Sequence, residues 1–459
     1  MTGAAVLTPD LCVIGAGSGG LSVAAGAVQM GAPTVLVERA LMGGDCLNHG
    51  CVPSKALLAA GKAGLDHAAA LERLHQVIAE IAPHDSQERF EGLGVTVLRQ
   101  SARFLDPRTI AAGELLVRPR RFVIATGSAP LVPPIPGLSG VPYLTNETIF
   151  HLRERPSHLI VLGGGPIGVE MAQAHRRFGV AVTVVEMAGL LPRDDPEAVE
   201  VLRARLLAEG ITLVEGGRAT AVEAAGPGIR VTVEREGAAR MVEGSHLLVA
   251  LGRRPAVGGL DLEAAGIAHD ARGITVDQGL RTTNRRAFAI GDCAGGPQFT
   301  HAAAYHAGIV LRRALFRLPA RVDYAAFPWV TYTDPELAQV GATEAEARAR
   351  HGAVNILRWP FADNDRARTE RRHDGFVKAV VSPRGAIHGC TIVGPAAGEL
   401  IAPWALAIAK GLTVKDIAAL VLPYPTLGEA SKRAAGSFFA PRLFSAGTRR
   451  LVRFLARFG

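Results

Sequence analysis

The chain has 459 residues, 48% hydrophobic and 20% charged, with 53 glycines; it is too long for one ordinary core, about three domains are expected, and nothing in it reads as disordered. A formal net charge of +8 gathers at one end: from Ala430 onward come Lys432, Arg433, Arg442, Arg449, Arg450, Arg453 and Arg457 and no acid, so the rest is almost neutral and no nucleic-acid groove is expected. The chain has no apolar run long enough to span a membrane, and MTGAAVLTPDLCVIGAG lacks the basic start and cleavage site of a signal peptide; the expected location is the cytoplasm, where a close cysteine pair is more often catalytic or metal-binding than a structural staple.

The first predicted unit is LCVIGAGSGGLSVAAGAVQMGAPTVLVE (11–38): a short apolar strand, a glycine turn, a small-residue helix and a second strand. Its glycines fall at Gly15, Gly17 and Gly20, and Glu38 closes the second strand. Next comes GGDCLNHGCVPSK (43–55), with Cys46 and Cys51 five positions apart in a chain of only five cysteines. Spacing alone leaves a metal site, a disulfide or two unrelated core thiols open. Zinc wants four ligands, usually from tighter pairs, and His49 between the cysteines has no second cysteine pair to complete a site, so no metal is expected. Five helical residues rise about 7.5 Å, beyond the roughly 7 Å a disulfide tolerates, so a bridge needs a distorted turn; Gly50 and Pro53 can make one. Cys12, Cys293 and Cys390 fall in predicted strands and read as small buried hydrophobes.

RRFVIATGSAP (120–130) is another apolar strand, ending in Thr126–Gly127. LIVLGGGPIGVEMAQAHRRFGVAVTVVE (159–186) then repeats the first unit, with Gly163, Gly165, Gly168 and Glu186. In both copies the acid lies 23 positions after the first glycine. A glycine turn between strand and helix with an acid about 20 residues on is the dinucleotide fingerprint: one glycine makes the turn, one admits the pyrophosphate and one packs helix on strand, while the acid binds a ribose 2′-OH. Two fingerprints imply two dinucleotides. Glu186 repels a 2′-phosphate, so NADH is favoured over NADPH at the second, although Arg193 is near in sequence. RAFAIGDCAGG (286–296) ends at Gly291–Asp292, where an aspartate can hold a ribityl chain, and HAAAYHAG (301–308) reads as a helix start. A first domain interrupted by a complete second nucleotide domain fits this order. Beyond Asp323, strands such as GFVKAVVS (375–382) and AIHGCTIVG (386–394) alternate with helical ELIAPWALAIAKG (399–411), an α+β pattern.

The order of first fingerprint, CxxxxC, second fingerprint and Gly–Asp strand resembles the pyridine nucleotide–disulfide oxidoreductases, the family of dihydrolipoamide dehydrogenase, glutathione reductase and mercuric reductase. The resemblance covers nearly the whole chain, and GGDCLNHGCVPSK is its most specific part. It implies an α/β fold: two Rossmann-like dinucleotide-binding domains, for FAD (1–149 and 276–323) and NAD(P) (150–275), plus a C-terminal α+β dimerisation domain (324–459). It further implies a homodimer with shared active sites and a redox-active Cys46–Cys51 disulfide against the flavin, with Cys51 facing the flavin and Cys46 meeting substrate. Lys55 would pair with Glu170 near the flavin N5 edge. His301 matches a recurrent position at a helix aimed at the flavin pyrimidine ring. FAD would then be held by Gly15, Gly17, Gly20, Glu38, Thr126, Gly127, Gly291 and Asp292, and NADH by Gly163, Gly165, Gly168 and Glu186.

One departure bears on the acceptor. Where the dehydrogenase and glutathione branches carry His-Pro-Thr…Glu, this chain has LPYPTLGEASKRAA (422–435), aligned by Pro425, Thr426 and Glu429. Tyr424 therefore replaces the proton-shuttling histidine. A phenol near pKa 10 does not take a thiol proton at pH 7 as an imidazole near 6.5 does. Tyrosine here resembles the mercuric reductases, in which electrons leave to a soft metal ion held by thiolates. Their usual C-terminal cysteine pair is missing after Cys390, so another metal ion, a quinone or a small disulfide is equally compatible. The rival readings are a dihydrolipoamide dehydrogenase with another base and, from a different class, a non-enzymatic redox-sensing flavoprotein. Finally, RRLVRFLARFG (449–459) sets Leu451, Phe454, Leu455 and Phe458 on one helical face and arginines on the rest. Packing of that face on its own domain is the favoured expectation, and contact with an anionic membrane surface the alternative.

Overall fold

The computed structural model describes residues 5–458. It divides into two compact units. One runs up to Met187 and resumes at Gly216–Val322; the other joins Ala188–Glu215 to the chain from Asp323 onward.

In the first unit, five parallel strands form a sheet in the order Ala287–Ala289, Arg121–Ile124, Leu11–Ile14, Thr34–Val37 and Thr96–Leu98. These strands read as nearly continuous apolar runs because both faces are covered. Successive side chains alternate between two cores: Leu11 and Val13 pack on one side with Phe288 and Val310, Cys12 and Ile14 on the other with Phe104 and Cys293. Cys12, Cys293 and Cys390 are fully buried in apolar surroundings, as small hydrophobes should be. The Gly–Asp strand joins the sheet one place away from the first fingerprint, with Arg121–Ile124 between them.

His158–Leu162 lies parallel to both Ala181–Glu186 and His246–Val249, and the helix Pro166–Arg177 starts with a proline suited to its first turn. The chain leaves the first sheet through Ser128–Pro130 and returns through Arg253–Pro255, and these two crossings pair antiparallel.

The second unit is built on five antiparallel strands ordered Pro328–Thr331, Glu336–Gly341, Ile387–Gly394, Phe376–Val381 and Asn355–Pro360. Trp404, on the helix Ala402–Lys410, fills its core and donates its indole N–H to Ser431 Oγ at 3.0 Å. Buried Lys378 meets Asp195 Oδ2 at 2.9 Å, Glu197 Oε1 at 3.0 Å and Glu344 Oε2 at 2.8 Å. Burial alone would lower the lysine's pKa, but the carboxylates outweigh it and the pKa lies above the ordinary value.

The last helix, Ala446–Leu455, corrects one expectation. No residue of it is buried, and Leu451, Phe454, Leu455 and the following Phe458 are all more than half exposed. Its apolar face does not pack on its own domain within the described chain.

Candidate active site

Two nucleotide turns lie in the first unit with the same geometry. Gly15 has φ +105° and Gly163 has φ +112°, and a Cβ on either would sit 2.4 or 2.3 Å from a carbonyl oxygen of the neighbouring strand end (Ala125, Ala250). A Cβ on Gly20 or Gly168 would lie 1.9 Å from the oxygen of its own first glycine. These four are glycine for the protein's own packing. The middle glycines differ: a Cβ on Gly165 would meet nothing within 4 Å, and one on Gly17 only Gly44 Cα at 3.9 Å. Each begins a helix, Ser18–Gln29 or Pro166–Arg177. Open space at a helix N-terminus suits a pyrophosphate. The two acids face these turns alike: Ala16 N–H donates to Glu38 Oε2 and Gly164 N–H to Glu186 Oε2, both at 2.6 Å.

The other residues expected on the first dinucleotide have the following surroundings. Thr126 Oγ1 is buried with no well-aligned hydrogen-bond partner among the described residues, and Gly127 opens onto free space. Asp292 Oδ2 accepts from Ser128 Oγ at 2.5 Å, and burial pushes the Asp292 carboxyl up. Gly291 donates its N–H to buried His306 Nδ1 at 3.0 Å, fixing the Gly–Asp turn. His301 is exposed in the first turn of the helix Thr300–Ala314, its ring 5.3 Å from that of Phe299.

The cysteine loop is seated directly on the first turn, because Gly43 bridges to Gly17 and a Cβ on Gly44 would come within 2.6 Å of Gly17 Cα. The helix Gly44–Asn48 ends at His49, Gly50 breaks the backbone at φ −129°, ψ −113°, and a new helix runs Cys51–Lys62. The distorted turn that a bridge requires is thus present, and both cysteines are free thiols here. Cys51, at a helix N-terminus, is lowered to about 6: the hydrogen bond with Cys46 does most, and Thr300 Oγ1 at 3.3 Å and the Lys55 charge add to it against the cost of burial. Cys46 is raised by that same hydrogen bond and by burial. The shared hydrogen bond thus favours the thiolate on Cys51 over Cys46. One turn along, Lys55 Nζ meets buried Glu170 Oε2 at 2.8 Å.

Cys46, Cys51, Lys55 and Glu170 are therefore brought together, while Tyr424 and Glu429 belong to the other unit. There Tyr424 is 70% exposed and donates its hydroxyl to Asp365 Oδ2 at 3.0 Å, a bond that raises its pKa. Glu429 Oε2 accepts from Thr426 N–H at 3.4 Å.

Sequence reasoning missed Arg253. Its guanidinium donates to Ser128 Oγ at 2.7 Å and to Ser128 O at 3.0 Å, and pairs with Asp45 Oδ1 at 3.2 Å. It thereby joins the crossing strands to the residue before Cys46. Asn146 supports the loop as well, donating to Asp45 Oδ1 and His49 O, each at 3.1 Å. Thr300, next to the His301 that the sequence did flag, was also missed.

Residues 9–307 match the family described as pyridine nucleotide-disulphide oxidoreductase, and residues 327–435 match its dimerisation domain. A mercuric reductase of Bacillus cereus is 34% identical over 449 residues, 94% of this chain and 71% of that protein. A dihydrolipoyl dehydrogenase of Geobacillus stearothermophilus is 35% identical over 450 residues, 93% of this chain and 95% of its own. Among solved structures, the Cu(II) complex of the HOCl-induced flavoprotein disulfide reductase RclA from Escherichia coli is similar with a TM-score of 0.86 at 28% identity, covering 92% of this chain and 98% of that one. Two glycine turns of one geometry, a cysteine pair whose loop is seated on the first and matches over nearly the whole length have one consequence: the chain belongs to the pyridine nucleotide–disulfide oxidoreductase family and is a flavoprotein oxidoreductase with a disulfide redox centre.

Proposed function

We propose that the protein is a homodimeric, FAD-dependent enzyme that draws electrons from NADH in preference to NADPH and delivers them through Cys51 and Cys46 to a soft metal ion such as Hg(II), or to another small acceptor. Bound FAD supplies hydride acceptance from the nicotinamide and two-electron transfer to the disulfide. The chain's own residues do the rest. The two glycine turns and their acids hold the dinucleotides, with Thr126, Gly127, Gly291 and Asp292 on the flavin side. Lys55, kept in place by Glu170, favours the Cys51 thiolate. Cys46 keeps its proton until an acceptor arrives, and a thiophilic metal ion displaces that proton on binding. NADH loses two electrons and a proton as one Hg(II) gains both electrons or two Cu(II) ions gain one each.

The observation that carries this reading is Tyr424, exposed and tied to Asp365, which offers a thiol no imidazole-like base. The Cu(II)-bound relative supports a metal ion as the acceptor class. The test is NADH oxidation with Hg(II), Cu(II), lipoamide, glutathione disulfide and a quinone, repeated with NADPH. Turnover should be faster with a metal ion than with lipoamide, and faster with NADH. Tyr424→His should raise lipoamide turnover. Brisk lipoamide reduction by the wild type would favour the dehydrogenase reading instead.

A further inference from the structure

We propose that the helix Ala446–Leu455 docks this flavoprotein reversibly on an anionic lipid surface. The helix is a defined element: Ser445 Oγ accepts from Thr448 N–H at 3.1 Å as its N-cap, and Thr448 Oγ1 donates to Arg442 O at 2.7 Å. It lies beyond the region matched by the family's dimerisation domain, which ends at residue 435. Its side chains separate by chemistry. At 100° per residue, Leu451, Val452, Phe454 and Leu455 share one broad face, Arg449, Arg450 and Arg453 fill the opposite one, and Arg457 and Phe458 follow in the turn after the helix. Phe454 and Phe458 pack edge to face with ring centroids 5.1 Å apart, on a surface where each is more than half exposed.

That combination selects the occupant. An apolar face of this breadth left in water marks a contact surface. A second copy of the helix would cover the apolar face alone and leave the arginine face of each without a complementary acid on the other, because no acid follows Ala430. A bilayer with anionic headgroups supplies both required chemistries in layers: acyl chains for the Phe and Leu side chains, and lipid phosphates for the guanidinium groups, which reach back to the headgroups on their apolar stems. Ten helical residues make a short element, so the binding is weak and needs the apolar and charged contributions together.

The experiment is co-sedimentation of the full-length, flavin-loaded protein with phosphatidylcholine vesicles, with and without phosphatidylglycerol, at low and high salt. The wild type should pellet with the anionic vesicles at low salt. Neutral vesicles or high salt should each reduce the bound fraction roughly tenfold or more. The double variants Phe454→Ser/Phe458→Ser and Arg449→Gln/Arg453→Gln should each stay in the supernatant while retaining wild-type turnover in solution. Failure of the wild type to pellet, or equal pelleting of wild type and variants, overturns the proposal. So does a sedimentation-velocity result in which Phe454→Ser/Phe458→Ser breaks up a wild-type assembly, because the apolar face then lies between copies of this chain.

Discussion

Cys51 is acidic because the proton of the pair has a better home on Cys46. The mutual hydrogen bond does most, and Thr300 and Lys55 add to it. The folded protein therefore favours the Cys51 anion, which should persist at pH 7 and be lost as the pH falls through about 6. In the flavin-loaded, two-electron-reduced protein, a long-wavelength thiolate-to-flavin charge-transfer band should follow that titration. Cys51→Ser should abolish the band, and Cys46→Ser should show it without reduction. A band that survives in Cys51→Ser would reverse the roles of the two sulfurs. The pair itself was legible because its spacing and the lysine one turn later are local features. Arg253, Asn146 and Thr300 were not. They reach the cysteine loop from strands and helices remote in sequence, and no spacing rule joins them to it.

A strand, a glycine turn and a helix can be read from sequence because each glycine answers to a steric fact, but the sequence does not say which fact. Gly168 leaves no room for a methyl, since the oxygen of Gly163 would be 1.9 Å away, whereas Gly165 has open space and an ordinary extended backbone at φ −75°. The two positions should therefore respond differently to the same substitution. Gly168→Ala should destabilise the fold by about 1–3 kcal/mol through overpacking, seen as a lowered melting temperature. Gly165→Ala should melt like the wild type and yet raise the KM for NADH, because the added methyl occupies the space left for the pyrophosphate. An unchanged KM would remove the second turn from nucleotide binding. Legibility failed for the last helix. Its amphipathic pattern is the same whether the apolar face packs inward or stays in water, and only the fold shows that nothing among the described residues buries it.

Two compact units share the proposed chemistry, with the cysteines in one and Tyr424 and Glu429 in the other. The sequence order leads to the expectation of an interrupted first domain and carries no sign that Ala188–Glu215 groups with the C-terminal sheet. That grouping includes the meeting of Asp195 and half-exposed Glu197 with buried Lys378, a long-range ion cluster with no sequence signature. Tyr424 could serve the Cys46 of its own chain or that of a second copy, and the proposed homodimer with shared sites requires the latter. Subunit mixing distinguishes these arrangements. Cys46→Ser should be inactive because it lacks the sulfur proposed to meet the acceptor, and Tyr424→Ala should be impaired in acceptor turnover. In a hybrid dimer of the two, one site receives the intact Cys46 of one chain and the intact Tyr424 of the other, while the second site receives both defects. Random reassociation of equal amounts makes half the dimers hybrids, so about one quarter of wild-type metal-ion reductase activity should reappear on mixing. If each site were built within one chain, every site would keep a defect and mixing would restore nothing.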